Sequence, residues 1–217
     1  MSKKVYIFGT SELAPLMHSY LSEQRVPVGG YLIDDEYVGT TELKPIIGWK
    51  TFTKTVRPDE CRIIVAIGYS KMNDARKRVF EKIINAGYLI DNYIHPSAVV
   101  AKGAIIGIGN IVMENVVVQP FARIGNANIF WSNATICHDT TIGDFNFFAA
   151  SSTILGDCKI GNLCFFGSNS TLKHKRVIAD KTLIGAGCFC EIDSKSEDVI
   201  VPVRSQKIMK KSKDIII

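Results

Sequence analysis

A neutral imidazole with a carboxylate beside it is a simple device for drawing a proton from an attacking amine or hydroxyl near pH 7. His138-Asp139 has that composition. In the general-base reading, His138 takes the proton as the nucleophile attacks a carbonyl. Asp139 fixes the tautomer and stabilises the imidazolium, and a backbone N–H of a facing subunit receives the oxyanion. Two plainer readings stay open: Asp139 points to solvent, or the pair is only a polar turn. The other histidines are less well placed. His18 lies within a helical stretch and His95 precedes Pro96, so both read as structural or surface groups. His174 sits in a basic run and reads as solvated. Cys137 is next to His138 but should face the other way, and no Ser-His-Asp or Cys-His arrangement can be argued. The six cysteines contain no CxxC pair and the histidines no zinc-finger spacing, so no metal is expected.

What must position His138 is a repeat. Stepping by six from Ile94 through Val100, Ile106 and Val112 to Ile184 meets sixteen consecutive apolar residues. Chance would give that roughly once in tens of thousands of tries, before allowing for phase. Six residues turn an α-helix through about 600°, leaving i and i+6 roughly 120° apart, so no helix explains the pattern. Glycine follows the apolar residue at Gly107, Gly125, Gly143, Gly161, Gly167 and Gly185. Small or polar residues stand four places after it, among them Ala98, Asn110, Asn128, Ala134, Cys158 and Cys164. This is the signature of a triangular parallel β-helix: apolar side chains fill the prism, small ones the narrow corners, and glycine or Asn takes the turn conformation. Three hexads make a coil, so the run predicts about five coils. The polar hexad 172–177 is expected to bulge outward.

The first ninety residues follow another rule. Strands are expected at Lys4–Phe8, Val28–Ile33 and Ile63–Ile67, and amphipathic helices at Ser11–Gln24 and Asn73–Ala86, with a charged, glycine-rich loop through Trp49. That alternation predicts βαβ units and a parallel sheet. The fold class is therefore an α/β Rossmann-like domain over 1–92, a left-handed parallel β-helix over 93–190, and a C-terminal cap or tail over 191–217 with a strand-like Val199–Val203. The Rossmann-like half is expected to cover the first coil, since a solenoid must close its ends.

Net charge is +5, with a basic tail at Arg204, Lys207, Lys210, Lys211 and Lys213. No aromatic-interleaved basic motif points to nucleic acid, and no apolar run reaches the roughly 18–20 residues of a membrane span. Val5–Phe8 is too short for a signal-peptide core, so a cytoplasmic location is expected.

The stretch Ile136-Cys-His138-Asp139-Thr-Thr-Ile142-Gly143-Asp144-Phe145 resembles the catalytic coil of the PglD/NeuD-type nucleotide-sugar acyltransferases. Cys164-Phe-Phe-Gly167-Ser-Asn169, Leu183-Ile-Gly185-Ala-Gly187, Val5–Ser11, Ile33-Asp34-Asp35 and Ala66-Ile67-Gly68 extend the likeness over nearly the whole chain. The resemblance implies a homotrimer with acetyl-CoA between neighbouring β-helices, touching Gly156, Gly167, Ser168 and Ala186. It implies a nucleotide-linked amino sugar on the N-terminal domain near Gly9, Ser11, Asp34, Asp35 and Gly68. Physically, Gly9-Thr10-Ser11 lets backbone amides approach a phosphate at a helix start, although the later glycines of a dinucleotide fingerprint are missing and NAD is not expected. The chain departs from the family twice: Phe147 stands where a second histidine is frequent, and Trp131 where an asparagine is. Trp131 would stack on a sugar or pantetheine, or pack at an interface.

The leading expectation is N-acetylation of a UDP- or dTDP-linked deoxyamino sugar for surface-glycan synthesis. Its rivals are sialic-acid-type O-acetylation and a non-catalytic trimeric binding module. A γ-carbonic-anhydrase-like metal site would need several converging histidines, which four scattered ones do not supply.

Overall fold

Lys4–Phe8 (β1) is the hub of the N-terminal unit because its alternate residues are apolar on both sides, as a strand covered on two faces requires. In the computed structural model, which describes residues 3–203, β1 pairs in parallel with Val28–Ile33 (β2) and Cys61–Val65 (β4), and β2 pairs with Ile46–Gly48 (β3). Helices Leu13–Glu23 (α1), Trp49–Thr55 (α2) and Asp74–Asn85 (α3) connect or flank these strands. The strand order β3-β2-β1-β4 is the start of a doubly wound sheet, and its order reverses between β1 and β4. The loop expected through Trp49 hides β3 and the start of α2. Three residues, Ile46-Ile47-Gly48, are too few to show a period.

From Tyr93 the chain lays a two-residue strand every six residues until Phe189–Cys190, and the last among the described residues is at Val199–Ile200. These strands stack into three parallel sheets of seven, six and five members, each pairing with the strand eighteen residues on. Three turn columns form the edges of the prism. The first edge holds turns 131–134, 149–152 and 167–170; the second holds 119–122, 137–140 and 155–158; the third holds 107–110, 125–128 and 143–146. Within the strands the sixth-position residues point inward, and Val112, Phe130, Ile136, Phe148, Ile154 and Phe166 are fully buried. Phe130, Phe148 and Phe166 stack 4.8 Å apart, the strand spacing itself, each burial contributing about 1.5–3 kcal/mol.

The corner residues differ from the expectation in an instructive way. The left-handed backbone falls three places after the apolar residue, at Asn115, Phe121, Ala127, Asn133, Asp139 and onward every six residues to Lys181. The repeat glycines do not take that conformation. Their reason is space: a Cβ on Gly125 would lie 2.2 Å from Asp144 Oδ1, and one on Gly143 2.5 Å from Asn162 Oδ1. Those side chains lean across the vacant site to accept the N–H of the preceding coil, from Asn126 to Asp144 at 2.6 Å and from Asp144 to Asn162 at 2.8 Å. Inside the same edge a second ladder runs. Asn110, Asn128 and Asn146 are fully buried; the N–H of Asn128 and Asn146 each donates to the carboxamide oxygen one coil earlier, at 2.8 Å.

Three further expectations change. The hexad 172–177 does not bulge: Val177–Ile178 stays in register with Lys159–Ile160, since its inward residues Leu172 and Ile178 are buried and the polar ones face out. The ladder also runs past residue 190, because Val199–Ile200 pairs with Leu183–Ile184; the basic residues from Arg204 onward lie outside the described residues. And the N-terminal unit does not cover the first coil, whose inward Ile94 is 41% exposed. It lies along the flank of the seven-stranded sheet. There the outward residues Ile111, Ile129 and Phe147 are buried, whereas outward Arg123, Thr141 and Lys159 of the five-stranded sheet are exposed.

Arg76 of α3 locks this docking. It is fully buried, with no carboxylate partner among the described residues. Its guanidinium donates to the carbonyl oxygens of Ala127 (2.9 Å), Phe145 (2.8 Å) and Asn146 (3.0 Å) on the third edge, and to Ile67, Gly68 and Asn73 on its own side. Burial pulls its pKa down to about 9, which still leaves it charged at neutral pH. Asn73 adds a bond to Cys164 O at 3.1 Å.

Candidate active site

His138 follows Ile136, whose inward burial fixes which way the second edge turns. Asp139 takes the left-handed backbone with φ 58°, a conformation that Asp and Asn tolerate best after glycine. Its carboxylate returns to the preceding ring: His138 Nδ1 and Asp139 Oδ2 are 2.8 Å apart, with side chains 60% and 54% exposed. With Nδ1–H donating to the carboxylate, Nε2 carries the lone pair and has no hydrogen-bond partner among the described residues. The pair is thus an orienting contact at the surface of the prism. Cys137 is half-buried, and burial raises its thiol pKa; that of Cys164 is pushed up to about 12 by the same cause. Among the described residues no three His, Cys, Asp or Glu side chains are grouped to hold a metal.

A cleft of about 820 Å³ opens at the strand-order reversal, between the ends of β1 and β4 and the flank of the β-helix. That is the size of a small-ligand pocket. Gly9-Thr10-Ser11 and Gly68-Tyr69-Ser70 form two of its rims, with Asp34 and Tyr37 on a third. Gly9 has φ 131°, and a Cβ there would lie 2.4 Å from Ala66 O, so glycine is required by conformation and space together. The start of α1 borders this rim through Glu12 and Leu13, and the Ala14 N–H there is already bonded to Ser11 O at 2.9 Å. Asp34 pairs with Lys82, whose ammonium lies 4.4 Å from the Phe8 ring centroid. Trp131 and Phe147 close the cleft on the β-helix side. Phe147 is buried, stacks on Phe165 at 5.4 Å and meets Tyr69 edge-on at 5.0 Å. The indole Nε1 of Trp131 is buried with no partner among the described residues.

The structure brings together Gly9, Ser11, Asp34, Gly68 and Trp131 in the cleft, and does not bring Asp35 there. Asp35 Oδ2 accepts the Lys50 N–H at 3.0 Å, capping the first turn of α2. His138 and Asp139 stand on the second edge, one prism face away from Trp131 on the first. Gly156 is on the second edge beneath the imidazole. Gly167, Ser168 and Ala186 are on the first, where Gly167 is buried and a Cβ on it would lie 2.3 Å from Ala186 N. Its glycine therefore answers to coil packing. Sequence reasoning missed Tyr69, Arg76 and Asn73. The signal that could have found their contact face is the residue just before each inward one: at eighteen-residue spacing Ile111, Ile129, Phe147 and Phe165 are apolar, while Arg123, Thr141 and Lys159 are not.

Fold and site together define the class: a small doubly wound parallel α/β unit on the flank of a left-handed parallel β-helix of hexapeptide repeats. Residues 139–174 match the family model described as bacterial transferase hexapeptide (six repeats). Among curated proteins none matches this sequence. Solved structures with the same fold include the acetyltransferase domain of PglB from Neisseria gonorrhoeae, at 23% identity and TM-score 0.81, covering 92% of this chain and 97% of that one. Another is a histidine-to-asparagine mutant of perosamine N-acetyltransferase from Caulobacter crescentus, in complex with CoA and GDP-perosamine, at 24% identity and TM-score 0.83, covering 93% and 94%. WeeI from Acinetobacter baumannii aligns at 17% identity and TM-score 0.75, covering 93% and 94%. No helix among the described residues is long and apolar enough to cross a membrane.

Proposed function

We propose that this chain is an acetyl-CoA-dependent N-acetyltransferase whose acceptor is the amino group of a UDP- or dTDP-linked deoxyamino sugar destined for surface glycan, acting as a homotrimer in the cytoplasm. The observation that carries the reading is the exposed His138–Asp139 pair, with Nδ1 engaged at 2.8 Å and Nε2 without a partner among the described residues. The amine lone pair attacks the thioester carbonyl carbon while His138 Nε2 takes the amine proton. The Gly156 N–H, which meets no acceptor among the described residues, is a donor for the developing oxyanion. Collapse of the tetrahedral adduct breaks the C–S bond, and the imidazolium returns the proton to the leaving thiolate, giving an acetamide and free CoA.

Two geometric facts support more than one copy per site. The cleft lies on the first edge and the base on the second, and the residues expected at the acyl donor divide between those edges. A closed ring of three prisms with the face between those two edges turned to its axis sets the first edge of one copy beside the second edge of the next. The names of the similar structures mention acetyl-CoA, CoA and GDP-perosamine, which supports a CoA donor and a nucleotide-linked amino sugar but not the choice of UDP or dTDP. The test is thiol release from acetyl-CoA with UDP-, dTDP- and GDP-linked amino sugars and with free sugars. Turnover with amino acceptors alone is expected; turnover with hydroxyl acceptors alone would replace the reading by O-acetylation, and none with any acceptor would favour a binding module.

A further inference from the structure

We infer that Gln119 is a positioning residue for the base, clamping His138 from the coil before while Gly156 seats its ring from the coil after; this rests on the general-base reading above. The second edge contains a column of equivalent positions, Lys102, Pro120, His138, Gly156, His174 and Ile192, and the Lys102 N–H meets no acceptor among the described residues. Proline has no N–H, and those of Gly156, His174 and Ile192 meet no acceptor among the described residues. At His138 alone the column is tied: its N–H donates to Gln119 Oε1 at 3.0 Å. Because a backbone donor needs the carboxamide oxygen, the contact also sets the orientation of the Gln119 amide. Gln119 is itself anchored, its N–H donating to Ile136 O at 2.9 Å, so the clamp transmits the register of the ladder to the imidazole.

The lower side of the ring is set by absence. A Cβ on Gly156 would lie 2.8 Å from His138 Cε1 and 2.9 Å from Nε2, the atom that must take the proton. The imidazole is an exposed side chain end, so a methyl there would displace it without unfolding the coil, and the Gly156 N–H would remain. Asp139, Gln119 and Gly156 thus hold the ring from three directions: carboxylate, backbone and floor. Misplacement of a reacting group by about 1 Å costs up to roughly 10²-fold in rate, which makes the two supporting residues consequential.

The experiment compares Gln119→Met, Gln119→Glu and Gly156→Ala in the full chain, using kcat, KM for acetyl-CoA, thermal melting, and the ring ¹⁵N signals of His138 followed through pH, assigned against His138→Ala. Q119M should lower kcat about tenfold with KM within about twofold and melting nearly unchanged. Q119E restores the acceptor and should recover most of kcat, while its charge moves the ring titration, and the acid limb of the rate profile with it, to higher pH. G156A should lower kcat with its ring signals shifted from the single Nδ1–H form. Equal losses in Q119M and Q119E accompanied by lower melting would mean a plain turn stabiliser and overturn the inference. So would unchanged ring signals in both Q119M and G156A. If no acceptor turns over at all, the substrate reading has failed, and the ring signals still decide the positioning roles.

Discussion

At the third edge of the prism the left-handed turn residues include Ala127, Phe145 and Leu163; at the second they include Phe121, Asp139, Asp157 and Lys175. Their φ values span 51° to 67°, so one backbone serves both. What differs is cover. Phe145 is 7% exposed beneath Phe80 of α3, their rings 5.4 Å apart, while Phe121 is 65% exposed. The third edge spends its side chains on docking the N-terminal unit, and the second leaves its own free to meet solvent and substrate. A repeating scaffold therefore assigns use through its outward residues, since the inward strand residues are apolar on all three faces.

The comparison is sharpened most by His138→Ala. On the free edge it should lower turnover by roughly 10²–10⁴-fold with melting unchanged, measured by thiol release and calorimetry; a parallel loss of melting temperature would show that the second edge too is structural. On the docked edge, Arg76→Leu leaves the Ala127, Phe145 and Asn146 carbonyls without their donor and should destabilise by about 3–4 kcal/mol in chemical denaturation. A matched pair comes next: Phe145→Ala should cost about 3 kcal/mol and Phe121→Ala within about 0.5 kcal/mol. Equal costs would break the contrast. The smallest effect is alkaline. Burial raises the pKa of Cys61 to about 11 and of Cys164 and Tyr93 to about 12. In each case the protonated form is favoured by the fold, so stability is complete below about pH 9 and declines as pH rises from there through 11–12. Melting followed from pH 8 to 11 checks this, and Cys164→Ala should flatten the slope.

Much of this was legible beforehand because it rests on long periods. Sixteen hexads from Ile94 specify the prism, and strands at Lys4–Phe8 and Val28–Ile33 come out with the bounds expected from their apolar runs. The imidazole–carboxylate pair was readable as adjacent residue types. Other features were hidden for physical reasons. Gly125 and Gly143 read as conformational glycines, yet their hydrogens make room for a side chain nineteen residues on, a relation no local window contains. Asp35 read as a ligand group, but it satisfies a helix start that the short run Ile46–Gly48 had concealed. The docking of the N-terminal unit depends on every third outward residue, a period visible only once inward and outward positions are separated.

The outer chain of contacts from Asn126 to Asp144, Asn162 and Asp180 has a consequence for how such a molecule can change length. Each link joins positions one full circuit apart, so deleting a single residue from an inner circuit would break the links on both sides and swing the following inward side chains outward. Growth or loss is then quantised: whole circuits can be added or removed, or a loop can be extruded between them. The last described circuit, where Leu183 meets Val199 only sixteen residues on, stands outside that restriction because, among the described residues, only one neighbour constrains it. Changes of length in relatives should gather at that end.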